Sequence, residues 1–249
     1  MLAITLRELS SMFHSPLAWV LLALVQFILA WIFLVQVEEF MQIQPRLAKL
    51  ASAPGVTDLV AAPLLSSAAL IIMFLVPLMS MRLLSDEYRS GTISLLLSAP
   101  VSMSAIVLGK YLALMLFLTL LLAVTAAMPL SLLLGGDLDL GKLSAGLLGL
   151  ELALAGFAAI GLFFSSITAR PTVAASASYG LLLFLWVINL AAGTDGTGSA
   201  LFAWLSPISH LQNMFSGLVS SADLAYFLLL TCGFLALSIR RLESRRSQH

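Results

Sequence analysis

Apolar residues in this chain form long continuous runs, separated by short polar segments. A helix needs about 20 apolar residues to cross the hydrocarbon core of a bilayer. The runs are rich in Leu and Ala and do not alternate with polar residues, so they predict helices and not the strands of a barrel. The chain is therefore expected to be an all-α membrane protein, with residues 1–249 forming one transmembrane domain. Six spans are predicted, at about 15–37, 59–84, 104–134, 143–168, 171–192 and 220–240.

The overall composition agrees with this pattern. Of the 249 residues, 61% are hydrophobic and 10% are charged, and the mean hydropathy is +1.07. A soluble domain carries roughly 25% charged residues, so this chain has too little polar surface to cover a particle in water. Its solvent must be the lipid bilayer. The formal net charge is zero, which leaves no electrostatic reason to expect a nucleic acid as a partner.

Basic residues are distributed unequally between the two predicted faces of the membrane. Six spans place both termini on one side. That side receives Arg7, Arg82, Arg89, Lys110, Arg170, Arg240, Arg241, Arg245 and Arg246. The opposite side receives Arg46, Lys49 and Lys142. The excess of Lys and Arg on cytoplasmic segments of membrane proteins therefore predicts that both termini lie in the cytoplasm.

A short amphipathic segment precedes the first span. Leu2, Leu6, Leu9 and Phe13 recur at helical spacing, with polar residues on the other faces. This pattern predicts a helix that lies in the cytoplasmic membrane interface. The alternative is a helical extension of the first span, but Pro16 favours a break between the two.

The segment 85–102, between the second and third spans, has the most distinctive sequence. Glu87 and Arg89 lead into Gly91 and Thr92, a signal for a turn or a helix start. A short helix that lies parallel to the membrane and is flanked by charges would suit docking into a soluble partner. The alternative is a solvated loop that only connects two helices.

The second half of this segment carries signals for a short helix and for the start of the next span. Residues Ile93–Leu97 form about one apolar helical turn, which Pro100 would stop. Ser102 is then placed to cap the helix that follows.

Two sets of residues occur in the order known from one family of membrane proteins. The first is Glu87-x-Arg89-x-Gly91-Thr92, Ser98-x-Pro100 and Gly109-Lys110. It resembles the coupling region of the type-2 ABC exporter permeases. The second is Leu205-Ser-Pro-Ile-Ser-His210, Phe215-x-Gly217, Ala225-Tyr-Phe and Arg241-Leu-Glu-Ser-Arg-Arg246. It is similar to the gliding-motility-associated branch, to which the nitrous-oxide-reductase accessory permeases are related.

The resemblance implies a function, partners and a location. The chain would be the permease subunit of an ATP-driven exporter in a bacterial cytoplasmic (inner) membrane. Two copies of a separate ATPase subunit would bind ATP and magnesium, and this chain would hold no cofactor. A second permease copy, or a homologous permease, would complete the translocation path as a dimer. Glu87, Arg89, Gly91 and Thr92 would contact the ATPase.

A nucleotide-binding pattern within the chain itself is excluded. Gly136–Lys142 has the spacing G-x-x-x-x-G-K, but Leu143 occupies the position of the Ser or Thr that would bind magnesium. No strand is predicted before it, and it lies between two spans. ATP is therefore expected to bind to a separate subunit.

The segment 196–218, before the last span, is moderately apolar and is broken by Pro207. A crossing to the far side would spoil the charge asymmetry, so we expect an outer re-entrant hairpin. Such backbone is tolerated at membrane depth where protein buries it or where it lines a cavity. His210 in this hairpin is a candidate for the translocation path or an outer gate, where it could contact substrate or sense pH. The alternative is a structural hydrogen-bonding role.

Glu151 is the carboxylate that lies well inside a predicted span. Ionisable groups within a membrane are costly and often functional. Glu151 is therefore a candidate for the translocation path or an outer gate. The alternative is a hydrogen bond between helices, or a position close enough to the interface to stay hydrated.

Two other classes of function compete with the exporter. An intramembrane enzyme would need clustered catalytic groups, but H-E-x-x-H and G-x-S-x-G are absent and the three histidines are scattered. A membrane scaffold that anchors an ATP-dependent motility or secretion assembly is compatible with the sequence. A neighbouring gene for an ATPase would favour the exporter or the scaffold over the enzyme. The sequence leaves the substrate open among lipids, lipid-linked polymers and peptides.

Overall fold

The computed structural model of the chain describes residues 1–47, 54–93, 102–134, 138–192, 202 and 204–246. Throughout these ranges the regular structure is helical and contains no strand. Six helical segments are long and apolar enough to cross a membrane. The predictions of an all-α fold and of six spans are therefore confirmed.

Three short helices accompany the six long ones in the described part of the chain. In chain order they are α1 (Leu2–His14), α2 (Pro16–Leu47), α3 (Ala62–Ser80), α4 (Arg82–Ser90), α5 (Met103–Leu130), α6 (Leu140–Ile167), α7 (Pro171–Ala192), α8 (Pro207–Phe215) and α9 (Ser221–Arg246). A π-helical turn at Thr57–Ala61 precedes α3, and a 3-10 turn at Ser131–Leu134 follows α5. The short helices are α1, α4 and α8.

Proline and serine set the boundaries of several helices. Ser15 is extended and separates α1 from α2, and Pro16 occupies the first position of α2, where no backbone N–H is needed. Ser102 accepts a hydrogen bond from the Ala105 N–H and caps α5 as its sequence predicts. The predicted turn at Ile93–Leu97 falls mostly in residues 94–101, which lie outside the described ranges.

The bundle is organised around α6. This helix contacts α3, α4, α5, α7, α8 and α9, and most of its middle third is fully buried. Small residues allow the close approach. A Cβ atom on Gly161 would come within 2.7 Å of the Ser80 Cβ on α3, and one on Gly156 would come within 2.6 Å of Leu230 on α9. The neighbours of α6 form two groups, because α3 and α7 contact each other, as do α5 and α9.

The two ends of the bundle differ in charge and in their short helices. One end, here called the basic end, carries α1, α4 and the C-terminal arginines. The guanidinium of Arg245 on α9 lies 4.8 Å from the centroid of the Tyr88 ring on α4. Both described ends of the chain therefore lie at the same end of the bundle. The opposite end carries α8 and is here called the α8 end.

We expect Gly161→Ala to lower the stability of the protein by about 1–3 kcal/mol, because the added methyl group overpacks a rigid helix contact. Gly180→Ala on α7 is the matched control, since a Cβ there meets nothing within 4 Å. It should be neutral or stabilising by up to about 1 kcal/mol. Thermal unfolding of the purified proteins in detergent measures both. Equal midpoints for the two variants would contradict the close packing of α3 on α6.

Candidate coupling site

The start of α4 is held in place by a side chain from another helix. Ser165, near the end of α6, is fully buried. Its Oγ accepts hydrogen bonds from the backbone N–H groups of Leu84 and Ser85, each at 3.0 Å. The same hydroxyl donates to the Met81 carbonyl at 2.9 Å. The first N–H groups of a helix have no partner within the helix, so Ser165 supplies the bonds of a helix cap from outside and fixes α4 to α6.

A buried lysine joins three helices at the basic end. Lys110 on α5 is 2% exposed. Its Nζ donates to Oε1 of Glu8 on α1 at 2.7 Å and to Oε1 of Glu87 on α4 at 3.1 Å. A buried ammonium requires such partners, because burial without them costs several kcal/mol or more. Lys110 thus ties α1 and α4 to the same point of α5.

One of the predicted coupling residues, Glu87, contacts this lysine, and the others follow it at the end of α4. Glu87 uses its second carboxylate oxygen, Oε2, to accept a hydrogen bond from the Thr92 hydroxyl. Gly91 ends α4 with φ at 73°, a left-handed conformation that favours glycine. Arg89 is exposed on the last turn of α4. Glu87, Gly91 and Thr92 therefore form one hydrogen-bonded helix end, and Arg89 projects from it.

A cleft of about 680 Å³ lies between α1, the start of α2, the end of α3 and α4. Its apolar lining residues include Met12, Ala18, Met79 and Leu83. Its charged lining residues are Arg7, Glu8, Arg82, Asp86, Glu87, Arg89 and Lys110. The cleft is thus amphipathic and carries one more positive than negative side chain. Within the described part of the chain, its three arginines form no salt bridge.

Sequence reasoning found part of this site. It selected Glu87, Arg89, Gly91 and Thr92, which the structure brings together at the end of α4. It did not select Glu8 or Ser165. The available signal for the lysine was its position: Lys110 interrupts the start of an apolar span, where a charge needs a partner. A buried serine has no comparable signal, because Ser is common in apolar spans.

Glu151 lies near the middle of α6, because that helix begins at Leu140. Its Oε1 accepts a hydrogen bond from the Thr119 hydroxyl on α5 at 2.6 Å. Its Oε2 is buried and has no hydrogen-bond partner among the described residues. The carboxyl group thus makes an inter-helix hydrogen bond to α5. A role of Glu151 in the translocation path or an outer gate stays a prediction.

His210 lies on α8 at the opposite end of the molecule from the coupling residues. It is 6% exposed and hydrogen-bonded through both ring nitrogens. On the far side of α8, Ile208, Leu211 and Phe215 line a small cavity of about 110 Å³ with residues of α3, α6 and α7. Glu151 does not line this cavity. The structure therefore does not bring Glu151 and His210 together.

We expect Lys110→Met to lower the free energy of unfolding by about 2 kcal/mol. Removing one partner of a fully buried ion pair costs roughly 3–5 kcal/mol, and the effect is smaller here because Glu8 and Glu87 are about 20% and 19% exposed. Thermal unfolding in detergent gives the difference. Adding Glu8→Gln and Glu87→Gln should recover part of the loss, because no unpaired charge then remains.

The control for this prediction is Asp58→Asn at the α8 end, which breaks the more exposed pair between Lys142 and Asp58. Exposed pairs contribute about 0–1 kcal/mol. A loss for Lys110→Met no larger than that of Asp58→Asn would show that the buried lysine does not hold the helices together.

The comparisons with known proteins agree with the arrangement of the helices. The sequence profile described as ABC-2 family transporter protein matches residues 2–246, which include α1, the predicted coupling residues and all six spans. A comparison with curated proteins gives no match. Six apolar helices, with charged short helices at one end, fit the membrane component of such a transporter. Because the match covers nearly the whole chain, the protein belongs to the ABC-2 family of transporter proteins.

Proposed function

We propose that the protein is the permease subunit of an ATP-driven exporter and that its basic end receives a separate ATPase subunit. The observation that carries this proposal is the buried Lys110, which joins α1, α4 and α5. A loop that merely connected two spans would not need an ion-paired lysine and a serine cap from α6. The arrangement suits an element that transmits force from a partner into the bundle.

The proposed orientation places the basic end in the cytoplasm. The arginines of the cleft and of the C-terminal turns of α9 lie at this end, and positive side chains favour the cytoplasmic side of a membrane. We infer a bacterial inner membrane, as the family resemblance implies. The narrower assignment to the gliding-motility-associated branch remains a prediction.

The charge of the cleft indicates what the ATPase would present. Arg7, Arg82 and Arg89 line it without salt bridges inside the described chain. An acidic surface on the ATPase would pair with these guanidinium groups, and an apolar side chain would fill the wall near Met79 and Leu83. Complementary charge fixes the orientation of a partner and speeds its association.

The hydrogen bonds at the site give a physical route for coupling. Ser165 fixes the start of α4 to α6, and Lys110 fixes its end to α5 and α1. A displacement of α4 by the ATPase therefore moves these helices together. ATP favours one conformation only to the extent that the ATPase binds the permease differently in the two states.

We propose that two permease copies enclose the path. The cavity between α3, α6, α7 and α8 has about 110 Å³, whereas sites for small molecules occupy about 300–1,000 Å³. A second copy, or a homologous permease, would enlarge this space. Several large apolar residues near it, among them Leu70, Phe74 and Phe184, are exposed on one copy.

The proposal is tested by purifying the tagged chain in mild detergent from its native host and assaying bound ATPase activity. Arg89→Glu is the informative variant, because Arg89 is exposed and its loss leaves the bonds of Glu87 intact. We expect the ATPase subunit to co-purify with the wild type. The amount of co-purified ATPase should fall about tenfold or more with Arg89→Glu, since reversing a charge at an interface costs several kcal/mol. The pair Glu87→Ala/Arg89→Ala should also lose it.

The matched control is Glu38→Ala/Arg46→Ala on α2, which removes the same charges from exposed positions at the other end of the bundle. It should retain the ATPase. Recovery of no ATPase with the wild type in several detergents would overturn the proposal. Equal recovery with Arg89→Glu would remove α4 from the interface.

A further inference from the structure

Two buried titratable residues connect α8 to the last span. His210 on α8 is 6% exposed and Asp223, in the first turn of α9, is 2% exposed. His210 Nδ1 lies 2.6 Å from Asp223 Oδ1, and His210 Nε2 lies 2.9 Å from the carbonyl oxygen of Trp204. The pair is thus enclosed by protein and bridges three segments of the chain.

The two contacts hold the ring from both sides. The Trp204 carbonyl accepts a hydrogen bond, so Nε2 is the nitrogen that donates to it. Nδ1 and Asp223 Oδ1 share a second, short hydrogen bond. Both ring nitrogens are therefore satisfied only when α8 lies against the start of α9.

Asp223 depends on this histidine. Its Oδ2 is buried without a hydrogen-bond partner among the described residues, and the amide of Asn213 lies at 3.5 Å from Oδ1, a long contact. Lys142 and Asp58, the charged pair at the same end, bond to each other. His210 is therefore the principal hydrogen-bond partner of the Asp223 carboxyl group among the described residues.

An aromatic contact strengthens the same junction. Tyr226, one turn after Asp223 on α9, stacks on the His210 ring with a centroid distance of 4.3 Å. Its hydroxyl donates to the Leu205 carbonyl at 2.8 Å. The Trp204 carbonyl is thus bonded to α8, and the Leu205 carbonyl is bonded to α9. The segment before α8, α8 itself and the start of α9 meet at this junction.

The opposite side of α8 forms one wall of the apolar cavity, which is also bordered by the exposed Leu70 on α3. Ile208, Leu211 and Phe215 form its wall on this side, and Met73 and Trp186 lie on the facing helices α3 and α7. α8 is too short to span the membrane and lies between the cavity and the α9 junction. Moving α8 away from α3 and α7 would widen the opening of the cavity at the α8 end.

We propose that the His210–Asp223 pair is a latch that holds α8 against α3 and α7 and so restricts access to this cavity, and that its release widens the opening. His210 and Asp223 act as positioning residues, since neither lines the cavity. The use of the cavity as part of a transport path rests on the proposed function. The latch itself does not.

The experiment measures how fast a cysteine in the cavity reacts with a maleimide. The native thiol is first removed by Cys232→Ala, and Met73→Cys is introduced as the reporter, because Met73 is 5% exposed and lines the cavity. The purified chain in detergent suffices, and no ATPase is needed. Failure of the exporter proposal would therefore leave this result unaffected.

We expect His210→Gln and Asp223→Asn each to raise the labelling rate about tenfold or more, since breaking a buried pair leaves one charge or dipole uncompensated. The double variant should label no faster than the faster single variant, because both remove the same interaction. Asp58→Asn, which breaks the separate pair at the same end, should leave the rate unchanged.

A second reporter separates lid opening from general loosening of the fold. Leu118→Cys lies on α5, fully buried and away from the cavity. The latch predicts that its slow labelling is the same in all variants. The proposal is overturned if the rates at position 73 are equal with and without the pair. It is also overturned if both reporters accelerate together.

Discussion

A positive charge buried at the edge of an apolar bundle must find negative partners, and the basic end of this protein is built around that constraint. Lys110 has two, Glu8 and Glu87, and they come from helices that the sequence separates widely. Because no partner is on α5 itself, the lysine is satisfied only when α1 and α4 are both in place. Folding of the basic end is therefore cooperative, and its geometry is narrowly defined.

Polar groups elsewhere follow the same principle on a smaller scale. Ser165 supplies the missing acceptor at the start of α4, and the Thr119 hydroxyl bonds to Glu151 within the span. Each of these polar side chains joins two helices. Without such bonds, dispersion forces alone would hold the two helices together in lipid. In a membrane, helix association depends on close packing and on such hydrogen bonds. Gly156 and Gly161 provide the close packing, and the side chains of Ser165 and Thr119 provide the hydrogen bonds.

The sequence was sufficient for features that depend on local pattern. Apolar runs predict the six spans, Pro16 predicts the break after α1, and Ser102 predicts the start of α5. Contacts between distant residues were not predictable in this way. No local pattern singles out Asp223, and its role becomes visible only when α8 is folded against α9. The partner of Glu8 can likewise be identified only once α1 is seen packed on α5.

The break at Ser15 separates α1 from the helix that follows it in sequence. α1 is bonded through Glu8 to α5 and connects to α2 through one extended residue. α2 is held on α5 by a separate contact, because the Gln26 side chain donates hydrogen bonds to the Leu121 carbonyl and the Thr125 hydroxyl. The extended residue at Ser15 thus lets two consecutive helices reach two different levels of the same span, each through its own polar contact.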